Sequence, residues 1–290
     1  MYCRRTLSCL RRSCQKVNEL YEPQYIEALL RRHGFTFSKS LGQNFLVEAS
    51  VVERTAEHVD ARCGVLEIGP GHGALTRPLA ARAGKVVAVE ADARLLPVLG
   101  ETLAGCENVS VRLGDATKLD LRALCEAEFA GLVPCLCANL PYNVTTPVLE
   151  NAARAGCFRR IVVMVQKEAA QRLLTRPGDE RWGVVPALLA ARYSGRILFT
   201  VGRYSFLPPP HVDSAVVAFE RLAEPVVGEA DFPAYERVVR AAFAQRRKTL
   251  SNALGAAGIS PDILGEVGID PRLRGERLLP EDFLKIARRL

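Results

Sequence analysis

The stretch Val65-Leu66-Glu67-Ile68-Gly69-Pro70-Gly71-His72-Gly73-Ala74 decides the fold class. An apolar run of strand length ends in the pattern G-x-G-x-x-A, beginning at Gly69. Glycines placed there let the chain turn sharply and bring its backbone close to a ligand at the start of the following helix. Such a turn suits a nucleoside cofactor at the carboxyl end of a strand. Taken alone, the pattern fits a nicotinamide dinucleotide as well as other nucleosides.

Outward from this loop, short apolar runs at 65–68, 85–89, 109–113, 133–138 and 161–165 alternate with helix-length segments. They read as strands joined by right-handed crossovers, in a parallel sheet covered on both faces. Two more strand-like runs, 195–201 and 214–219, are joined by Phe206-Leu207-Pro208-Pro209-Pro210-His211. That stiff segment cannot continue a ladder, so the two runs predict an antiparallel hairpin at the sheet edge. Upstream, 18–33 has helical spacing and 35–46 reads as a polar, glycine-containing loop. Residues 223–232 look like a linker, and from Pro233 onward the spacing is helical. The expected organisation is a disordered basic extension over 1–18, a Rossmann-like α/β domain over 19–222, and a small all-helical domain over 223–290.

Hydrophobic residues make up 49% of the 290 and can fill a core. No apolar run approaches the roughly 18 residues of a membrane helix, and no hydrophobic segment follows the basic start, so a soluble, cytoplasmic protein is expected. The nine cysteines form no C-x-x-C pair and only four histidines are present. They read as buried thiols, and no metal is expected. Of the net charge of +7, five positive charges come from Arg4, Arg5, Arg11, Arg12 and Lys16, leaving +2 for the remainder. Global charge therefore says little about nucleic acid. The extension reads as a plain tail, with an RNA-holding arm or an organelle transit peptide as alternatives.

Glu90 ends the second strand where an acid accepts from ribose hydroxyls, a need shared by both cofactor classes. Asp115 separates them. It ends the third strand, where a carboxylate accepts from an adenine amino group, an arrangement typical of S-adenosylmethionine folds. The fourth strand ends in Asn139-Leu140-Pro141-Tyr142. An adenine N6 amine is a poor nucleophile because its lone pair is delocalised into the ring. It improves when acceptors hold its hydrogens, and the Asn139 side-chain oxygen with a backbone carbonyl at Leu140 or Pro141 would supply them. Pro141 removes a donor and fixes the turn, while Tyr142 offers a stacking ring to a base that has left its helix. Phe206 is the candidate ring for the opposite face. Catalysis would then be mostly positioning, with no perturbed general base required.

With these motifs, Lys39-Ser40-Leu41-Gly42-Gln43-Asn44-Phe45-Leu46, Gln166-Lys167-Glu168, Pro208-Pro209-Pro210-His211-Val212-Asp213-Ser214-Ala215-Val216-Val217 and Phe243-Ala244-Gln245-Arg246-Arg247-Lys248-Thr249-Leu250 make the chain resemble the ribosomal RNA adenine dimethyltransferase family, from about Tyr21 to Leu290. The resemblance implies a Rossmann-like S-adenosylmethionine-dependent methyltransferase that dimethylates two adjacent adenines near the 3′ end of small-subunit (16S) ribosomal RNA. It implies that Asn44 and Leu46 line the cofactor site, that Gly69, Gly71 and Glu90 hold the methionine and ribose parts, and that Asp115 holds the adenine. Asn139 would close the site near the methyl, and Tyr142 and Phe206 would flank the target base. Arg246, Arg247 and Lys248, the dense basic run outside the N-terminus, would grip phosphate. The expected partner is small-subunit RNA in a pre-30S particle, engaged by a monomer. Competing readings are a large-subunit (23S) adenine dimethyltransferase of the antibiotic-resistance type, a non-enzymatic ribosome-assembly or mitochondrial transcription-factor-like role, and an NAD oxidoreductase.

Overall fold

In the computed structural model, residues 19–37 and 43–290 are described. The expected extension over 1–18, and Lys39-Ser40-Leu41-Gly42 of the N-terminal motif, lie outside the described residues. In chain order the strands are β1 (Phe45–Leu46), β2 (Cys63–Ile68), β3 (Lys85–Glu90), β4 (Val109–Leu113), β5 (Val133–Asn139), β6 (Arg160–Gln166), β7 (Tyr193–Val201), β8 (Phe206–Leu207) and β9 (Ser214–Arg221). The helices include α1 (Pro23–Arg32), α2 (Ala49–Ala56), α3 (Thr76–Arg82), α4 (Leu96–Thr102), α5 (Leu121–Glu128), α6 (Thr145–Ala155), α7 (Lys167–Leu173), α8 (Val184–Ala190), α9 (Phe232–Ala244), α10 (Leu250–Ala256), α11 (Ile263–Glu266) and α12 (Pro280–Ala287).

All six residues of β2 are buried, as a strand covered on both faces requires. Gly64 lies within it because a side chain there would run into the Phe129 ring. Around β2 grows a mixed, mostly parallel seven-stranded sheet in the order β4-β3-β2-β5-β6-β9-β7. β3 and β5 both pair in parallel with β2, one on each side, so the strand order reverses at β2. A crevice opens beyond the carboxyl ends of β2 and β5 at such a switch point, and ligands of open α/β sheets sit there. β7 and β9 are neighbours at one end of the sheet, where the edge hairpin was expected.

The stiff segment after β7 departs from its reading. Phe206 and Leu207 do form a ladder, pairing antiparallel with β1 in the register Leu46↔Phe206 and Phe45↔Leu207. Both residues still carry a backbone N–H, and the proline constraint starts only at Pro208. The same ladder gives the expected 35–46 loop a strand at its end.

By contacts the chain forms two compact units. Of the described residues, the first takes those up to Thr145, Cys157–Lys167 and Ile197–Ala218, with a core that includes Val65, Val86, Cys137 and Met164. The second takes Thr146–Gly156, Glu168–Arg196 and Phe219–Leu290. Within the second unit the Tyr235 hydroxyl donates to Ala187 O at 2.9 Å. Arg192, fully buried there, donates to Ala153 O at 3.1 Å and stacks 3.8 Å over the Phe232 ring. A buried guanidinium is tolerated because carbonyls and a ring face replace its water.

Candidate active site

The loop after β2 is built by three glycines in the left-handed region, Gly69 (φ +69°), Gly71 (φ +61°) and Gly73 (φ +88°). Side chains are strained there, so the turn depends on glycine. Its backbone is tied to β3: Gly69 N–H donates to Val89 O at 2.9 Å, and Gly71 N–H donates to Glu90 Oε2 at 3.3 Å. The other Glu90 oxygen accepts from Asp92 N–H at 2.9 Å. Glu90 is 6% exposed, and burial raises its pKa while the two N–H donors hold it down. Asp92, in turn, accepts from Gln43 Nε2 at 2.9 Å, which ties the N-terminal segment to the end of β3.

Two titratable groups beside the loop are almost fully enclosed. His72 is 1% exposed, bonds through Nε2 to Leu20 O at 2.9 Å, and has its pKa pushed down by burial to about 4. It is a neutral packing residue. Glu67 is 1% exposed, and burial pushes its pKa up to about 8 from an ordinary 4.5. The folded protein keeps a proton on Glu67 that the unfolded chain releases, so this group costs stability increasingly as pH rises from about 4.5 to 8. Glu67→Gln removes that cost. Thermal melts should show the two proteins alike near pH 4.5 and the variant about 5 °C or more ahead by pH 8. A gap that stayed constant with pH would show that Glu67 is ionised throughout.

Just past the end of β4, Asp115 is half exposed and its Oδ1 accepts from the Thr117 hydroxyl at 2.6 Å and the Thr117 N–H at 3.0 Å. These bonds, the hydroxyl first, hold its carboxyl below the usual range. The turn after β5 is fixed in the same local way. Leu140 N–H donates to Met164 O at 3.1 Å, and Pro141 O accepts from Val144 N–H at 3.1 Å and the Thr145 hydroxyl at 3.3 Å. Asn139 donates through Nδ2 to Asn44 O at 3.3 Å, which leaves Oδ1 as its accepting end. The glycine loop and this turn touch: a Cβ built on Gly69 would lie 3.4 Å from Pro141 Cδ.

Structure and expectation differ at the proposed stacking rings. Tyr142 is half buried, with its hydroxyl 2.7 Å from Ser214 Oγ. Phe206 is 3% exposed and belongs to the core cluster with Leu46, itself 3% exposed. Side chains alternate along a strand, so the β1–β8 ladder that turns Leu46 inward turns its partner Phe206 inward too. Phe206 is a core residue in this structure and not an exposed stacking face. Sequence reading also missed Ser214 as the partner of Tyr142, although Ser214 lies in the quoted proline-rich motif.

The basic run, in the second unit, is split by its contacts. It follows α9 as a turn, with Lys248 N–H donating to Gln245 O at 2.9 Å. Arg246 donates to the carbonyls of Glu180 and of Trp182, the latter at 3.1 Å, so its guanidinium pins another segment of the same unit. Arg247 and Lys248 are exposed.

A family model described as "Ribosomal RNA adenine dimethylase" matches residues 34–290. The chain belongs to that family. Two curated relatives named "Ribosomal RNA small subunit methyltransferase A", from Bacillus mycoides and Bacillus cereus, are each 41% identical over 286 residues, covering 94% of this chain and 98% of theirs. Among solved structures, the 23S rRNA methyltransferase ErmE is 28% identical with a TM-score of 0.60, covering 85% of this chain and 99% of its own. A dimethyladenosine transferase from Plasmodium falciparum, 24% identical with a TM-score of 0.66 over 83% of this chain and 95% of its own, shares the fold. Membership of the ribosomal RNA adenine dimethylase family implies a methyl donor of the S-adenosylmethionine type. The residues fit one. The loop carries no side chains at Gly69 and Gly71, and Glu67 Oε2 is buried beside it without a hydrogen-bond partner among the described residues, an acceptor suited to an ammonium group. No group of three or more His, Cys, Asp or Glu that could hold a metal occurs among the described residues, and none of their helices is long and apolar enough to cross a membrane.

Proposed function

We propose that this adenine dimethylase transfers methyl groups from S-adenosylmethionine to N6 of two adjacent adenines near the 3′ end of small-subunit ribosomal RNA, in a precursor of the small subunit. The observation that carries the reading is the contact between the two halves, Gly69 against Pro141, with Asn139 at the join. Identity of 41% across nearly the full length of the small-subunit enzymes, against 28% for the large-subunit enzyme, favours the small-subunit substrate.

In this reading Gly69, Gly71, Asn44 and Leu46 shape the cofactor cradle, Glu90 accepts from the ribose hydroxyls and Asp115 from the adenine amino group. Bound there, S-adenosylmethionine supplies an electrophilic methyl group. Asn139 Oδ1 and the Leu140 carbonyl hold the two hydrogens of the target amine at the first transfer, and one of them holds the remaining hydrogen at the second; the lone pair is turned toward that methyl, and the proton displaced by each transfer leaves to solvent. Leu140 is chosen over Pro141 because Pro141 O already accepts twice within its own turn. Pro141 keeps the turn rigid, Tyr142 stacks on the flipped base, and Phe206 supports Leu46 from the core. Rate then comes from holding the amine in an attacking geometry, which is worth roughly 7 to 11 kcal/mol in favourable cases.

The helical region over 223–290 is assigned to RNA binding, with Arg247 and Lys248 as phosphate contacts and Arg246 as their anchor. Arg247→Ala with Lys248→Ala should weaken RNA binding and reduce the slope of log affinity against log salt by about 1 to 2. Binding that keeps the wild-type slope would remove both residues from the interface. The substrate assignment is tested by incubating isolated small and large ribosomal subunits with labelled S-adenosylmethionine. Label in small-subunit RNA is expected, and label confined to large-subunit RNA would refute the assignment.

A further inference from the structure

We propose that Arg203 and Tyr204 form a stacking platform for an unpaired nucleotide neighbouring the methylated adenines; the choice of that nucleotide rests on the function proposed above. Tyr204 is 75% exposed, where Tyr142 and Phe206 are partly or wholly covered. Its ring is not loose. The Arg203 guanidinium carbon lies 4.8 Å from the ring centroid, and Arg203 Nη2 donates to the Tyr204 hydroxyl at 2.7 Å. A planar cation and a ring held together at the surface offer two π faces and a positive charge, the combination that proteins use for unpaired bases and their phosphates.

The mount beneath the pair is rigid. Arg203 N–H donates to Asp213 Oδ1 at 3.1 Å, and Ser205 N–H donates to Gly202 O at 3.0 Å. Ser205 O accepts from Val47 N–H at 2.8 Å, and the Ser205 hydroxyl donates to Glu48 Oε2. Phe206 then enters the core. Arg203 and Tyr204 are therefore exposed on a segment whose next two residues, Ser205 and Phe206, are both buried.

Position ties the pair to the target base. Asp213, which holds Arg203, is followed directly by Ser214, which holds the Tyr142 hydroxyl. Consecutive Cα atoms are about 3.8 Å apart, so the two anchors sit side by side on the chain. Asp213 O also accepts from Lys167 N–H at 3.0 Å, fixing that junction to the end of β6. A strand whose flipped adenine lies on Tyr142 would bring its neighbour toward Tyr204.

The test compares Tyr204→Ala, Tyr204→Phe and Arg203→Ala with the wild type on isolated small subunits, and on a single-stranded oligoribonucleotide that carries the two adenines with 2-aminopurine beside them. Tyr204→Ala should raise KM for subunits about tenfold, with kcat and S-adenosylmethionine affinity unchanged, and should abolish the quenching of 2-aminopurine on binding. Arg203→Ala should raise KM less, and Tyr204→Phe should stay within about twofold of wild type because the ring face remains. An unchanged KM and unchanged quenching in Tyr204→Ala, in a wild type that methylates small subunits, would overturn the platform and leave the proposed function standing. If the wild type failed to methylate small subunits, the function would fall, and loss of oligonucleotide quenching in Tyr204→Ala would still support the platform.

Discussion

Asn139→Ala lowers kcat for adenine methylation by roughly a thousandfold, the size of effect seen when one preorganised polar partner of a reacting group is removed. The expectation follows from the side chain's two ends. Nδ2 is committed to Asn44 O at 3.3 Å, so the amide cannot rotate without losing a bond, and Oδ1 remains as the acceptor for the amine. Alanine leaves the amine with the Leu140 carbonyl alone, and its lone pair relaxes back into the ring. In the proposed site the base would still stack on Tyr142, so KM for RNA should move little while kcat falls. A KM effect with kcat preserved would mean that Asn139 only binds the base. Because Asn44 O loses this donor as well, a modest fall in melting temperature is expected alongside, and Asn139→Ser, whose shorter hydroxyl can neither fully donate to Asn44 O nor fully accept from the amine, should sit between wild type and Asn139→Ala.

Glu90→Gln should weaken S-adenosylmethionine binding by about 10- to 100-fold, the range for losing a hydrogen bond to a charged group. Both carboxylate oxygens accept backbone N–H groups, from Gly71 at 3.3 Å and Asp92 at 2.9 Å. Glutamine must turn its NH2 toward one of these donors. Either the glycine loop loses its tie to β3 or the Asp92 turn does, and one acceptor for the ribose is lost in both cases. Calorimetric titration with S-adenosylmethionine measures the effect directly, and an affinity within about twofold of wild type would exclude Glu90 from the cofactor site.

Much of this was legible in the chain. The central strands announce themselves because a strand buried on both faces needs an unbroken apolar run, as in Val65-Leu66 or Val162-Val163. The glycine loop, Glu90 and Asn139 each follow such a run, and Asp115 follows the alternating Val109-Ser110-Val111-Arg112-Leu113, so their positions at strand ends were readable before any coordinate. The two-residue strands Phe45–Leu46 and Phe206–Leu207 were not, since two residues carry no period. The burial of Phe206 depends on that unseen ladder, and an aromatic beside prolines looks exposed without it. Arg246 misled for a related reason: its acceptors are carbonyls of Glu180 and Trp182, and backbone carbonyls leave no mark on a sequence. The grouping of 168–196 with the helical tail was equally hidden, since contacts such as Tyr235 to Ala187 join segments 48 residues apart.

One site, joining the glycine loop to the Asn139 turn, should dimethylate adenines of small-subunit RNA. The decisive measurement is mass spectrometry of small-subunit RNA from cells lacking this gene, and from the same cells carrying wild-type or Asn139→Ala copies. A pair of adjacent N6,N6-dimethyladenines should be missing in the deletion, restored by the wild type and not by the variant. Restoration of the pair by Asn139→Ala, or its presence in the deletion strain, would contradict that role for the site.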